Sequence, residues 1–600
     1  MSSLPRSAWD PRGWGTGQRA NALILLALFV AALARFGTAS WGLPFRFHID
    51  EQGFVMWVAA HTEWSGMHGH SFEPQVTTYG PLVYELALAV KWLLGGFDAA
   101  EVSARATADG WLYLSALEDP SRTPLTMVEW TRAMRMTSAF AGVITVLLYT
   151  RIAHRLGGST AAVLAAWFSA LAPGLVQVSH FYTPDGLLML FSAATLDAAT
   201  MLAIKPTWRA STYAGLAIGL VLATKLTGAF VALVVPWALW SRGSGHRFRL
   251  VSAAFSGWTW LSVAASVLVY IAFTPWILQR GLGYFGGGGG PTSGAFMLAT
   301  LYETDFTFTD WRFAYLGQPR GITFFTSLVP YAVGVPVTLL GALGLFLTPP
   351  RTRSFLWVAL VPTTLLVSRW TVLTIRYALP LTPVFILSAS LVIAALLARS
   401  GWAWKRVSLR HVTLALAAVV LTASLARGLA WTWMFTEPDP RAQASRWLAE
   451  HAHEGDLVLL EGDLPYTAPV GSANESQGAL PWSMPHILTR RILSDGFTGP
   501  NARRHLERDL RGGRYLVISE WIYRRALHPA AARQYPEIHH FYRDLFAGQT
   551  GYVEVARFQP QPRLGPLVWD ESEEEQLAVC FDHPPVYIFE RQGEFHLPTH

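Results

Sequence analysis

The chain has 600 residues, 52% of them hydrophobic and only 14% charged, whereas a soluble globular chain carries about 25% charge. With a mean hydropathy of +0.29, this composition excludes disordered, collagen-like and disulfide-stapled chains and points to a polytopic membrane protein. The net charge of +6 invites a nucleic-acid reading, but only four of the 46 basic residues are Lys and they fall between apolar runs, where membrane topology explains them better.

The first apolar run covers about 22–43, after Arg6, Arg12 and Arg19. Arg35 interrupts it, no small-residue cleavage site follows and more spans come after, so it reads as a span with a cytoplasmic N-terminus, not a signal peptide. Residues 80–95 are apolar but contain Glu85 and Lys91 and fall short of the roughly 20 residues a crossing needs. Laid as a helix on the outer face, they put Arg151, Arg155, Lys205, Arg209, Arg242, Arg351, Arg353, Arg399 and Lys405 on the inner side, the positive-inside arrangement. Residues 44–131 are then one large outer loop and 279–327 a second. Further runs lie near 133–150, 159–178, 186–204, 210–224, 226–240, 252–277, 328–348, 354–368, 374–397 and 411–431. With the first they make about 11 spans.

The tail is a different material, rich in charge and Pro. Ala442 to His451 reads as an amphipathic helix; 456–461, 515–519, 552–558 and 586–589 read as strands. The expected architecture is an α-helical polytopic membrane domain over 1–435 and an extracytoplasmic α/β domain over 436–600, of ordinary domain size. The single Cys580 allows no disulfide within the chain.

Charge is scarce, so acids beside the membrane stand out. His48-Ile-Asp50-Glu51 follows the first span, and Asp185 sits in the outer turn between two later spans. Both reach the same interface, the depth at which a lipid-linked substrate presents its phosphate and head group. The bland alternative is that acids just outside a span are solvated. Asp197 lies inside a span, either functional or paired with a neighbouring helix. A divalent metal is compatible with His48, Asp50, Glu51, His68 and His70, but their spacing does not require one, and no protein-bound metal site is assigned. Gly286 to Gly290 lacks the Lys-Ser/Thr of a phosphate loop.

A first span followed by an outer-loop Asp50-Glu51 resembles the GT-C glycosyltransferases that use polyprenyl-phosphate sugars, and within them the protein O-mannosyltransferase and aminoarabinose-transferase group. Four segments share the resemblance. Thr78-Tyr79-Gly80-Pro81-Leu-Val-Tyr84 is similar to a Pro-Pro-Leu-aromatic outer segment, with Gly80 in place of the first Pro. Tyr182-Thr-Pro-Asp185 resembles the second acidic turn, Thr224-Lys225-Leu-Thr-Gly228 a Thr-Lys-Gly turn, and Arg376-Tyr377-Ala-Leu-Pro380 a basic-Tyr-x-x-Pro opening of a late span. The tail segment Asp582 to Phe589 is similar to the closing strand of outer domains in some bacterial relatives.

The resemblance implies a multi-pass enzyme of a cell (inner) membrane that moves a sugar from a polyprenyl-phosphate donor to a hydroxyl acceptor at the outer interface, with inversion. The acceptor, glycan, lipid or protein, stays open. Phosphate is a good leaving group, so the chemistry needs a base for the acceptor proton and cations for the departing phosphate. Asp50 is the expected base, Glu51 orients it or binds sugar, and Asp185 supports acceptor or sugar. Lys225 and Arg376 hold phosphate, unless they merely snorkel at the interface. His48, Tyr79 and Tyr377 complete the substrate-binding set. The runner-up is a transporter or flippase of lipid-linked sugar, against which stand the absence of a sequence repeat and the placing of the acids at one surface.

Overall fold

A computed structural model describes residues 14–43, 45, 47–48, 50–51, 80–93, 127–242, 249–275, 277–280, 311–398, 403–404, 407–462, 466–472, 483–484, 486–492, 501–572 and 574–598. Five helical stretches among them are long and apolar enough to cross a membrane: Gly17–Phe36, Val128–Ala170, Pro184–Ile204, Ile375–Ala398 and Arg410–Met434. A sixth is a bent pair, Phe324–Val333 and Val335–Leu347, which meet at 118°. The bend falls on Gly334, whose φ of 89° is open to glycine and costly for other residues.

Helices named below are α1 (Trp14–Phe36), α2 (Pro81–Leu93), α3 (Met127–Ala170), α4 (Pro184–Ile204), α5 (Trp208–Thr224), α6 (Thr382–Ala398) and α7 (Leu409–Met434). The runs expected at 133–150 and 159–178 join in α3, broken at Gly158 (φ 77°). Arg35 in α1 is fully buried, donating to the carbonyls of Ala31 and Ala170 (3.1 and 2.7 Å) and to Ser179 Oγ (3.2 Å). A charge inside a span is tolerable when carbonyls replace its water. Asp197 in α4 pairs with Arg155 and, at 3.2 Å, with Arg151 on α3; of its two readings, the helix pairing is the one seen.

The tail is built on a five-stranded mixed sheet. Its strands are β1 (Leu457–Glu461), β2 (Leu488–Ile492), β3 (Tyr515–Ser519), β4 (Tyr552–Phe558) and β5 (Val586–Arg591), in the order β2-β1-β3-β5-β4. β1 runs parallel to β2 and β3, and β5 antiparallel to β3 and β4. Alternating residues supply two cores, as a period of two requires. Leu459, Leu516, Ile518 and Phe589 pack with Leu506, Ile522 and Phe541 from three helices. Val458, Leu460, Val517 and Ile588 face Ala444 and Leu448 of the helix Pro440–His451. The four strands read from sequence are present; β2 (Leu-Thr-Arg-Arg-Ile) was missed because two Arg break its apolar run at a sheet edge.

The tail is tied to the bundle by buried polar groups. Arg441 is bidentate on Asp439, donates to the carbonyls of Cys580 (3.1 Å) and Phe581 (2.9 Å), and lies 3.9 Å over the Phe47 ring. Gln177, just before α4, donates to the Ala578 carbonyl (2.8 Å) and to Asp582. Burial, opposed by His583 and the Gln177 contact, pushes the Asp582 carboxyl up to about 7 from 3.8. Because the folded value is the higher one, this group's stabilisation is complete below about pH 4 and is lost as pH rises through 7, at up to about 1.4 kcal/mol per pH unit. Thermal unfolding of the full chain at pH 5.5 and pH 8 checks this. Asp582→Asn is expected to flatten the decline between the two, and an unchanged difference would refute the assignment.

Candidate active site

Four charged side chains from distant parts of the sequence meet in one cluster. Asp185, in the first turn of α4, accepts from Lys225 Nζ at 3.0 Å and from Arg376 Nε at 2.6 Å. The same guanidinium reaches Asp50 Oδ2 at 2.5 Å. Arg376 therefore bridges the two carboxylates, and Lys225 completes a set of two acids and two bases. Asp185 and Lys225 are 2% and 3% exposed, whereas Asp50 and Arg376 are 17% and 16% exposed, so the Asp50–Arg376 side is the accessible one.

Local structure explains each placement. Pro184 at the start of α4 positions Asp185 in the first turn, where the helix dipole favours an anion. Lys225 is an extended residue (φ −162°) between α5 and the 3-10 helix Leu226–Leu233, which lets its side chain leave the helix line. Its ammonium lies 5.1 Å over the Tyr377 ring. Arg376 sits in the one-turn helix Ile375–Ala378, capped by Thr374 and by Glu575 of the tail, which accepts from Ile375 N at 3.1 Å.

Glu51, expected beside Asp50 as an orienting or sugar-binding acid, points elsewhere. It is fully buried, bidentate with Arg135 (2.8 and 2.6 Å), and accepts from Tyr182 N at 2.9 Å. It joins the segment after α1 to α3 and to the turn before Asp185. His48 stacks on Phe581 of the tail with centroids 4.2 Å apart, and its Nδ1 accepts from Asp50 N at 3.2 Å. Burial, reinforced by Arg376 and opposed by Asp50, lowers its pKa to about 4, so His48 is neutral near pH 7. Burial, the largest single influence, works against the charged Asp50, but Arg376 and His48 together hold that carboxyl below its ordinary range.

Gly80 has a packing reason where the expected pattern carries Pro. Its N–H donates to Thr224 O at 2.8 Å, and a Cβ would lie 2.0 Å from the Ala223 carbonyl oxygen. Pro81 then starts α2, and Tyr182 Oη donates to Val83 O at 2.6 Å. Gly80→Ala is expected to destabilise by about 1–3 kcal/mol, the cost of overpacking, and to lower the melting temperature; an unshifted melt would show that this contact is not tight.

Tyr79, His68 and His70 lie outside the described residues. Among the described residues no three His, Cys, Asp or Glu stand close enough to share a metal ion. Sequence reasoning missed Arg135 and Glu575. A trace of Arg135 existed: it lies at the end of an apolar run that the charge pattern predicts to face outward, against the positive-inside trend. Glu575 left none, because a tail carboxylate some 200 residues from its partner has no local pattern.

Residues 124–278 match the family model described as dolichyl-phosphate-mannose-protein mannosyltransferase. No curated protein matches the sequence. Among solved structures, the apo oligosaccharyltransferase of Archaeoglobus fulgidus is 13% identical, with 94% of this chain and 76% of that chain covered at a TM-score of 0.49. ArnT from Cupriavidus metallidurans bound to undecaprenyl phosphate is 14% identical, with 96% and 98% covered at a TM-score of 0.46. The matched segment carries Asp185 and Lys225 of the cluster.

Proposed function

We propose that the chain transfers a sugar from a polyprenyl-phosphate-linked donor to a hydroxyl acceptor at the outer membrane interface. The observation that carries the site assignment is the bridging of Asp50 and Asp185 by Arg376 beside Lys225. In the proposed reaction the acceptor oxygen attacks the anomeric carbon, the bond from that carbon to the phosphate oxygen breaks, and the configuration inverts. The acceptor proton passes to Asp50. The lipid phosphate leaves with its negative charge against Arg376, a fork suited to phosphate, and Lys225.

The salt bridge adds a coupling. While Arg376 holds Asp50, that carboxylate is ionised but a weak base. A donor phosphate draws on the same guanidinium, which loosens the pair and makes Asp50 more basic when substrate is present. Glu51 and Arg135 act as positioning residues that fix the Asp50 segment against the Asp185 turn, with His48 and Arg135 both against the Phe181 ring. Tyr377 orients Lys225, and Tyr79 belongs to the substrate-binding set through its segment. The reading includes a cell inner membrane location, a cytoplasmic N-terminus, domains divided near 435, and about 11 spans. That count takes the shorter apolar helices, such as 208–224, 226–240 and 257–273, as crossings.

The test is consumption of a polyprenyl-phosphate sugar by the purified full chain in a bilayer, with release of polyprenyl phosphate. Movement of donor between leaflets without its breakdown would favour a flippase instead. Arg376→Ala is expected to weaken donor binding by about 2–5 kcal/mol, as for truncating one member of a buried charge pair. Arg376→Lys should recover only part, since the fork is lost. Normal donor binding by Arg376→Ala would move the phosphate role to Lys225.

A further inference from the structure

The tail carries a short apolar hairpin that none of the chemistry above uses. Arg563–Leu564 pairs antiparallel with Leu567–Val568 across Gly565-Pro566, where Gly565 takes a φ of 58°. Its side chains are the wrong kind for water: Leu564, Leu567 and Val568 are 40%, 57% and 59% exposed. Backbone closure is provided by Trp569 N donating to Pro562 O at 2.9 Å.

The hairpin lies along α7, an apolar span that is mostly unburied and exposes Val419, Leu429 and Trp433. Its base is beside the helix end, where Arg563 stands 4.0 Å from Glu437. Leu567 and Trp569 reach back to wall an apolar crevice of about 710 Å³ with Thr422, Ala423, Phe168 and Val335. Ala423 is 11 residues before Met434, which at 1.5 Å per residue is about 16 Å below the end of α7. Just after the hairpin, Glu571 accepts from Tyr331 Oη at 3.0 Å and from Arg427 at 3.4 Å, fixing this depth from the bundle side.

A charged base at the helix end, an apolar tip level with the interior of a span, and an apolar surface continuous with that span's outer face fit one surrounding: hydrocarbon. We propose that the hairpin 562–569 is inserted among the acyl chains of the leaflet facing the tail, and that an acyl chain fills the crevice beneath it. Insertion anchors the tail beside the bundle independently of the polar contacts at Gln177 and Arg441. The inference rests on the chain being a membrane protein, not on the chemistry of Asp50.

The test places a single polarity-sensitive fluorophore (NBD) on Leu567→Cys in the full chain, reconstituted into phosphatidylcholine nanodiscs containing doxyl-labelled phosphatidylcholine. Cys580 is buried, 1% exposed, and wild type treated with the same reagent is the check on it. Arg508→Cys, at a side chain 69% exposed on the tail helix Ala502–Leu510, reports water. Insertion predicts blue-shifted emission and several-fold stronger doxyl quenching at position 567 than at 508. Val568→Cys is the second site if Leu567→Cys does not fold. Water-like emission with quenching equal to that at 508 would overturn the proposal. Donor turnover is not read, so the result is separate from the fate of the glycosyltransferase reading.

Discussion

Asp50→Asn is expected to lower turnover by about 10²–10⁴-fold, the range for losing general-base catalysis, in a chain that folds normally. Asn keeps the shape of the side chain, and Arg376 retains its contact with Asp185 at 2.6 Å. Donor binding should therefore survive, and tighten, because Asp50 no longer competes with phosphate for the guanidinium. That split between binding and turnover distinguishes a base from a structural acid, which would lower both. Asp50→Glu moves the carboxylate by a methylene and should rescue little, since a misplacement of about 1 Å costs roughly 10²-fold. Turnover near wild type in well-folded Asp50→Asn would remove Asp50 as the base and leave Asp185 as the remaining acid of the cluster.

Arg135→Ala should damage the fold, not the chemistry. It strands the Glu51 carboxylate, 0% exposed, with only the Tyr182 N–H as partner among the contacts described above. Breaking a buried pair on one side costs about 3–5 kcal/mol. Glu51→Gln strands the guanidinium less severely, since Arg135 keeps the Trp41 carbonyl at 2.6 Å and that of Ala39 at 3.3 Å. Replacing both, as Glu51→Leu with Arg135→Met, should recover much of the loss, because an apolar pair of similar volume avoids desolvating charge. Melting temperatures of the three variants in detergent decide it. Wild-type melting by Arg135→Ala would show that the pair does not hold the segment after α1. A stable Glu51→Gln that binds donor but does not turn over would instead make Glu51 a participant in the reaction.

Much of the architecture was legible because it follows from local pattern. Apolar runs separated by Arg-rich loops need no tertiary information to be read as membrane helices, since hydrocarbon rejects charge along the whole length of a span. The tail's strands at 515–519 and 586–589 could be read because alternate residues face two separate cores. The acids at Asp50 and Asp185 and the cations at Lys225 and Arg376 stood out for the same reason, as polar groups where a membrane chain has few.

What the sequence could not supply is which charge meets which. Neighbouring residues Asp50 and Glu51 look like one motif, yet one faces Arg376 and the other the buried Arg135. Their backbone directions are set by α1 and α3 packing, 84 residues apart for the Glu51 pair. Arg376 reaches across 191 residues to Asp185 and 326 to Asp50. Charge pairing is a matter of angstroms in a low-dielectric site, and those distances come only from how the helices and the tail close on one another.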